Sequence, residues 1–469
     1  MTHKQDFRGK RVTVVGLGIE GVDLARYLVG KGALVTVSDS RPAERLAPRL
    51  RDLDGLPVSF SLGRNDPAAI VTADRVFVSQ GVPLNIPALV AARDHGVPLD
   101  SMMRLFLDLC SGPVVGITGS SGKTTVTSLV GAAFAAAGRE HVVGGNIGVG
   151  LLSLLDDIGP QTWVVLEISH TQLELTTQSP HVACVLNVTP NHLDRYSWDS
   201  YVALKRNILR HQTSGDIAVL GYDNHVSRSL ASDTRGKVVF FSDGADLPGP
   251  AALLRDGVVV WRDGAKDTSV VWTDEIPLRG RHNVANVLAA TAVAASCGIP
   301  AGAIATAVRS FQAVPHRLEF VAEVDGVAYY NDSIATTPER TLAGIRSFQE
   351  PVVLLLGGRE KHLPLDAMFR EACGRCRALV FFGEARETLI AAARAAHNAA
   401  SPDKQPDLHI VDTLDDAVPA ARAAARPGDV VLLSPACTSF DAYDNFEERG
   451  EHFRRLVLAM TPAEGGSRP

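Results

Sequence analysis

The densest chemistry in the sequence lies in the run Gly116-Ile-Thr118-Gly119-Ser120-Ser121-Gly122-Lys123-Thr124-Thr125. Gly116 and Gly122 bracket a loop that ends in Lys-Thr, the pattern of a phosphate-binding loop. The glycines let backbone N–H groups close around phosphate oxygens, and the helix that follows adds the partial positive charge of its N-terminus. Lys123 can then reach the β and γ phosphates, and Thr124 can offer a hydroxyl to Mg²⁺. An apolar run from Val114 precedes the loop and a helical pattern follows it, as this geometry requires. ATP or GTP is the expected ligand.

Glu167 closes the apolar run Trp163-Val-Val-Leu-Glu. A carboxylate at a strand's carboxyl end beside a phosphate loop is where Mg²⁺ is usually held. His192, in Asn187-Val-Thr-Pro-Asn-His192-Leu-Asp194, follows a further buried-strand pattern, which puts it at the same sheet edge. Lys205 sits on a helical pattern and by spacing alone is an exposed helical lysine. The turn Gly16-x-Gly18-x-x-Gly21 after Val12–Val15 would suit NAD with Asp39 on the ribose, but the same turn holds other diphosphates. With a phosphate loop downstream, uridine diphosphate fits better. Cys373-Gly-Arg-Cys376 has no second pair or nearby His to complete a zinc site, so it reads as two ordinary helix thiols.

These residues need sheets to position them, and 469 residues suggest about three domains. Hydrophobic residues make up 46% and charged residues 21%, ordinary globular usage. Strand and helix patterns alternate in each third, predicting an α/β fold with mostly parallel sheets. Three domains follow: a Rossmann-like one over 1–107, a phosphate-loop ATPase domain over 108–315, and a second Rossmann-like one over 316–469. Within the middle region, 238–273 reads as short antiparallel strands with turns at Asp256-Gly257 and Asp263-Gly264. The stretch 394–407 reads as a loop, and 462–469 as a frayed tail. The net charge of −6 argues against a general nucleic-acid surface. Six cysteines form no disulfide scaffold, the N-terminus lacks a signal peptide's apolar core, and no apolar run spans a bilayer. A cytoplasmic protein without nucleic-acid or membrane partners is expected.

Taken together and in order, GITGSSGKTT, GGNIG (144–148), LEISHTQLE (166–174), LNVTPNHLDRY (186–196), YVALKRN (201–207), GRHNVANVLAA (280–290), PHRLE (315–319), NDSIATTPE (331–339), LLGGREK (355–361) and LLSPACTSFDAYDNFEERG (432–450) resemble the Mur ligase family over nearly the whole chain. Within it the resemblance is to the branch that joins glutamate to UDP-N-acetylmuramoyl-L-alanine. It implies a uridine-nucleotide domain, an ATP domain and an amino-acid domain. ATP would phosphorylate the alanyl carboxylate, and the glutamate amine would displace phosphate from the acyl phosphate. By the same resemblance Lys123, Glu167, His192 and Lys205 are the catalytic set. Two Mg²⁺ ions are implied, on Thr124, Glu167, His192 and Lys205, with Lys205 N-carboxylated. ATP would contact Gly116, Thr118, Gly119, Ser120, Ser121, Gly122, Lys123, Thr124 and Thr125, and also Asn283, Asn286, Arg317 and Asp332. Asn146, Ser169, Gln172 and His192 are implied for the muramoyl-alanine arm. Thr336, Lys361, Ser439 and Phe446 are implied for glutamate. Gly16, Gly18, Ile19, Glu20, Asp39, Ser40, Arg41 and Gly81 are implied for uridine diphosphate. A monomer is expected.

The sequence departs from the family pattern at three places. Asn331-Asp332-Ser333-Ile334-Ala335-Thr336-Thr337 stands where NDSKATN is common, so Ile334 removes a cation and Thr337 replaces an amide. Ser169-His170-Thr171-Gln172 replaces SSFQ, and Ser79-Gln80-Gly81 replaces SPG. A related branch that adds L-glutamate also carries Asn-Asp-Ser-Ile followed by Thr-Thr-Pro, so D-glutamate is the expected substrate and L-glutamate the alternative. A phosphate-loop switch or transporter is the distant alternative, and the sequence lacks an Asn-Lys-x-Asp guanine reader or a transporter signature for it.

Overall fold

A computed structural model describes residues 6–146, 150–191, 195–264, 266–312, 314–399 and 405–460. The chain forms two compact units, one of residues 1–275 with 285–310, the other of residues 276–284 with 311–469. The first unit holds two sheets and the second unit one.

The first sheet is built from β1 (Arg11–Val15), β2 (Leu34–Asp39), β3 (Val58–Leu62), β4 (Arg75–Val78) and β5 (Leu99–Asp100), in the order β3-β2-β1-β4-β5. Every neighbouring pair is parallel. Val15 lies level with both Ser38 and Val78, so Gly16, Asp39 and Ser79 leave the sheet at one carboxyl edge. Ligands of open α/β sheets bind at that edge, beside the strand where the order reverses.

The second sheet comprises β6 (Val114–Thr118), β7 (His141–Gly145), β8 (Trp163–Glu167), β9 (Val182–Val185), β10 (Ile217–Gly221), β11 (Lys237–Ser242), β12 (Ala251–Arg255), β13 (Val258–Asp263) and β14 (Lys266–Trp272). Its order is β14-β13-β12-β11-β10-β9-β6-β8-β7. β6 is fully buried between β8 and β9, which is why it reads as a continuous apolar run. Ile117 pairs with Glu167 and Thr118 with Val185, so the phosphate loop, Glu167 and Asn187 emerge side by side. The antiparallel expectation for 238–273 holds for β12–β13 and β13–β14. It fails for β11, which lies parallel to both β10 and β12; local pattern does not encode the direction of a partner strand.

The third sheet is β15 (Glu319–Val324), β16 (Val327–Asn331), β17 (Val352–Gly357), β18 (Cys376–Phe382), β19 (Asp407–Ile410) and β20 (Val430–Ala436), ordered β15-β16-β20-β17-β18-β19. Only β15 is antiparallel to its neighbour. The helix Arg386–Ala399 covers part of the stretch read as a loop, because its alanines favour helix over turn. Cys376 opens β18 instead of ending a helix, and both Cys373 and Cys376 are buried free thiols. The tail 462–469 lies outside the described residues. Among the described residues no helix is long and apolar enough to cross a membrane.

Candidate active site

In the first unit, β6 ends at Thr118 and the helix Lys123–Ala136 starts after Gly122, whose φ of +84° favours glycine. A Cβ there would also stand 2.4 Å from Asn286 Oδ1, so the loop can approach that amide only as glycine. Ser120 N–H donates to the Asn187 carbonyl (2.9 Å) and Ser121 N–H to Asn187 Oδ1 (3.0 Å). Asn187 thus fixes the loop from the neighbouring strand's end. Its place two residues after β9 is the signal in the sequence that marks it.

Around the loop the carboxylate of Glu167 accepts twice: Thr124 Oγ1 donates to Oε2 at 2.7 Å, and Asn146 Nδ2 to Oε1 at 2.7 Å. Glu167 is 2% exposed. Lys205, expected on spacing to be exposed, is 1% exposed. Its ammonium donates to Thr118 Oγ1 (2.9 Å) and the Gly119 carbonyl (3.0 Å), and it lies over the Tyr201 ring, 5.5 Å from its centre. Burial, then the neighbouring Lys123 charge, holds its pKa well below the ordinary lysine range, with Glu167 opposing. Tyr201 Oη meets Ser120 Oγ at 3.0 Å, a second link the sequence reading missed. His192 lies outside the described residues.

Among the described residues no cluster of three or more His, Cys, Asp or Glu side chains could hold a metal unaided. The Thr124 hydroxyl and Glu167 carboxylate do supply two adjacent hard oxygen donors. That fits Mg²⁺, which takes the rest of its shell from phosphate and water.

Ser169 and Gln172, both buried, bond each other through Ser169 N–H to Gln172 Oε1 (3.0 Å) and Gln172 N–H to Ser169 Oγ (3.2 Å). Gln172 Nε2 then donates to Glu20 Oε1 at 2.7 Å. Burial raises the Glu20 pKa against bonds from Gln80 and Gln172. At the carboxyl edge of the first sheet a cavity of about 460 Å³ is lined by Gly16, Gly18, Asp39, Ser40, Arg41 and Gly81 among others. Ile19 and Glu20 do not line it. Asp39, expected at the uridine diphosphate, accepts at Oδ2 from Leu17 N–H (2.7 Å) and at both oxygens from the Arg41 guanidinium. Burial would raise its pKa, but these bonds outweigh it and the carboxyl stays below its usual value.

In the second unit, Asp332 follows β16 and is 5% exposed. Ser434 Oγ donates to its Oδ2 at 2.8 Å. Burial pushes its pKa up to about 7, against Ser434 and the charges of Arg317 and Arg340. Arg340 also donates to the Ile334 carbonyl (3.2 Å), so a guanidinium stands beside the position whose lysine the sequence lacks. Lys361 Nζ reaches Thr336 Oγ1 at 3.3 Å. Asn283, nearly buried, donates to the Arg279 carbonyl at 2.8 Å. Burial and the Arg317 charge lower its neighbour His282 to about 4. Ser439 is buried, and the carbonyl of Phe446 accepts from Ser333 Oγ at 2.8 Å. Beneath them lies Arg449, fully buried, donating to Ser333 Oγ and to the carbonyls of Ser333, Gly357, Thr438 and Cys437. Arg449 stood inside a quoted motif, yet nothing local marked it as an anchor.

Comparison with known proteins yields three family matches. A MurD-like N-terminal domain of Mur ligases covers residues 10–100, the Mur ligase middle domain 117–294, and the Mur ligase glutamate ligase domain 316–437. The UDP-N-acetylmuramoylalanine--D-glutamate ligase of Symbiobacterium thermophilum is 42% identical, over 96% of this chain and 98% of that protein. The protein of the same name from Acetivibrio thermocellus is 38% identical, over 97% and 98%. Among solved structures, the UDP-N-acetylmuramate-alanine ligase MurC of Thermotoga maritima superposes with a TM-score of 0.60 at 17% identity, covering 96% of this chain and 100% of that one. MurF ligase of the same organism, solved with ADP, gives 0.57 at 18% identity, covering 98% of both. At such identities the structures speak for the fold alone.

Proposed function

The chain belongs to the Mur ligase family, and we propose that it is the ATP-dependent ligase that adds D-glutamate to UDP-N-acetylmuramoyl-L-alanine in peptidoglycan precursor synthesis. The observation that carries this reading is the convergence of Lys123, Thr124, Glu167 and Lys205 on the end of β6, in a chain that matches D-glutamate ligases almost end to end.

Phosphoryl transfer to a carboxylate brings anions together, so the barrier falls through charge neutralisation and alignment. Lys123 and the helix N-terminus face the β and γ phosphates. Thr124 and Glu167 would hold a first Mg²⁺, which when bound shields the transferring phosphoryl charge. A second ion would sit on His192 and Lys205. Burial lowers the cost of deprotonating Lys205, and the free amine is a nucleophile toward CO₂: the amine would take up CO₂, lose a proton and become a carbamate, an anionic oxygen ligand. Asn146, Ser169, Gln172 and His192 orient the muramoyl-alanine arm so that its carboxylate meets the γ-phosphoryl group. The acyl phosphate and ADP form, the glutamate amine attacks the acyl carbon, and phosphate departs as the amide closes.

Asn283, Asn286, Arg317 and Asp332 are assigned to the adenosine and ribose–phosphate portion. Thr336, Lys361, Ser439 and Phe446 are assigned to glutamate. Uridine diphosphate takes the cavity with Gly16, Gly18, Asp39, Ser40, Arg41 and Gly81; Glu20 and Ile19, assigned to the same ligand, line separate hollows. We place the domain boundaries at 107/108 and 315/316, the working form as a monomer and the compartment as the cytoplasm.

Mass spectrometry of the product tests this reading. It predicts the glutamyl amide in equal amount with ADP, and no ADP when the sugar nucleotide is omitted. ADP formed equally well without it would point to a phosphate-loop ATPase of another kind.

A further inference from the structure

Gln80 leaves the carboxyl edge of the first sheet immediately before Gly81, and lines the cavity assigned above to uridine diphosphate. Its backbone N–H donates to Glu20 Oε2 at 2.8 Å, while its side-chain Nε2 donates to Asn146 Oδ1 at 2.6 Å. Asn146 Nδ2 donates onward to Glu167 Oε1 at 2.7 Å, and Thr124 Oγ1 donates to Glu167 Oε2 at 2.7 Å. An unbroken line of side-chain hydrogen bonds thus runs from the wall of the cavity to the phosphate loop.

Its polarity is fixed at one end. Glu167 Oε1 accepts from Asn146 Nδ2, so Asn146 turns Oδ1 away from Glu167. The group facing Oδ1 must therefore be a donor, and Gln80 supplies one. A proline, as in the common Ser-Pro-Gly form of this turn, has neither an N–H for Glu20 nor an amide for Asn146.

We propose that Gln80 is a positioning residue that couples the two ligand sites. A sugar nucleotide seated against Gly81 holds the Gln80 amide on Asn146, which holds Glu167 in place to meet the Mg²⁺–nucleotide. The chemical consequence is positive linkage: each ligand tightens the binding of the other by the same factor. The inference rests on the functional reading above.

The test measures binding of a non-hydrolysable ATP analogue with Mg²⁺ to the full-length protein by calorimetry, with and without saturating UDP-N-acetylmuramoyl-L-alanine. The wild type should bind the nucleotide about five- to tenfold tighter when the sugar nucleotide is present. Gln80→Ala keeps the backbone bond to Glu20 and removes only the amide. It should bind the nucleotide alone within about twofold of wild type and lose most of the linkage, consistent with one hydrogen bond worth about two- to tenfold. Gln80→Glu should lose as much or more, because its carboxylate repels Asn146 Oδ1 and turns that amide away from Glu167. Gln80 is exposed, so an unchanged thermal midpoint is expected for both variants. Wild-type linkage in Gln80→Ala, or the absence of linkage in the wild type, overturns the coupling while leaving the enzyme's identity standing. Failure of the wild type to bind the sugar nucleotide at all overturns the functional reading and the coupling with it.

Discussion

Lys205 and Lys123 share one acceptor: their ammonium nitrogens lie 3.0 and 3.2 Å from the carbonyl oxygen of Gly119. Two cations on one carbonyl in a buried site are unstable together, and the fully buried one yields its proton more easily. That asymmetry suits the roles proposed above, Lys205 reacting as an amine and Lys123 serving the phosphates.

If that amine works as a carbamate, Lys205→Ala should lower the ligation rate by at least about a thousandfold, the scale of losing a principal charge-stabilising group. Acetate or formate should restore part of it by lending an oxygen ligand. Near-normal turnover of the unrescued variant would sink the carbamate.

Asp332 makes stability depend on pH. Its folded carboxyl holds its proton up to about 7, against an ordinary value of 3.8. Between those two values the native state binds more protons than the unfolded one, so stability should fall as pH rises through that window. Asp332→Asn keeps the shape and can accept from Ser434, but does not titrate. Its melting temperature should drop less than that of the wild type between pH 5 and pH 8. Parallel pH profiles for the two proteins would contradict the buried carboxyl.

The legible parts of this enzyme were the local ones. The phosphate loop and Glu167 each sit at the end of an uninterrupted apolar strand, so strand and function were read from the same few residues. Lys205 was not legible, because what buries it, Thr118 and Gly119, lies 87 and 86 residues away. Only the family resemblance singled it out. Asp39 was legible as the end of β2 beside the glycine turn, whereas the commitment of both its oxygens to Leu17 and Arg41 was not, because those bonds depend on how the turn folds back. β3 and β15 are edge strands carrying exposed residues, Phe60 and Phe320 among them, and half-solvated strands lack the dense apolar run that marks β6 in the sequence. Gln80 was visible only as a departure from a motif. Its meaning depends on Asn146, 66 residues on.

Arg449 should prove structural. Its guanidinium ties the Ser333 turn to the last carbonyl of β17 and to carbonyls just after β20, and burial lowers its pKa only to about 10, so it stays charged at neutral pH. Arg449→Met would remove the five hydrogen bonds of the guanidinium, a loss of at least about 3 kcal/mol. Chemical denaturation should show it as a shift of the midpoint. A variant as stable as the wild type would mean that water replaces the guanidinium.

The central claim is the identity of the amino acid joined, and phosphate release from ATP in the presence of UDP-N-acetylmuramoyl-L-alanine tests it most directly, with D-glutamate and L-glutamate offered separately. Release with D-glutamate and none above background with L-glutamate is the predicted result. Release with L-glutamate alone, or with neither, would contradict it.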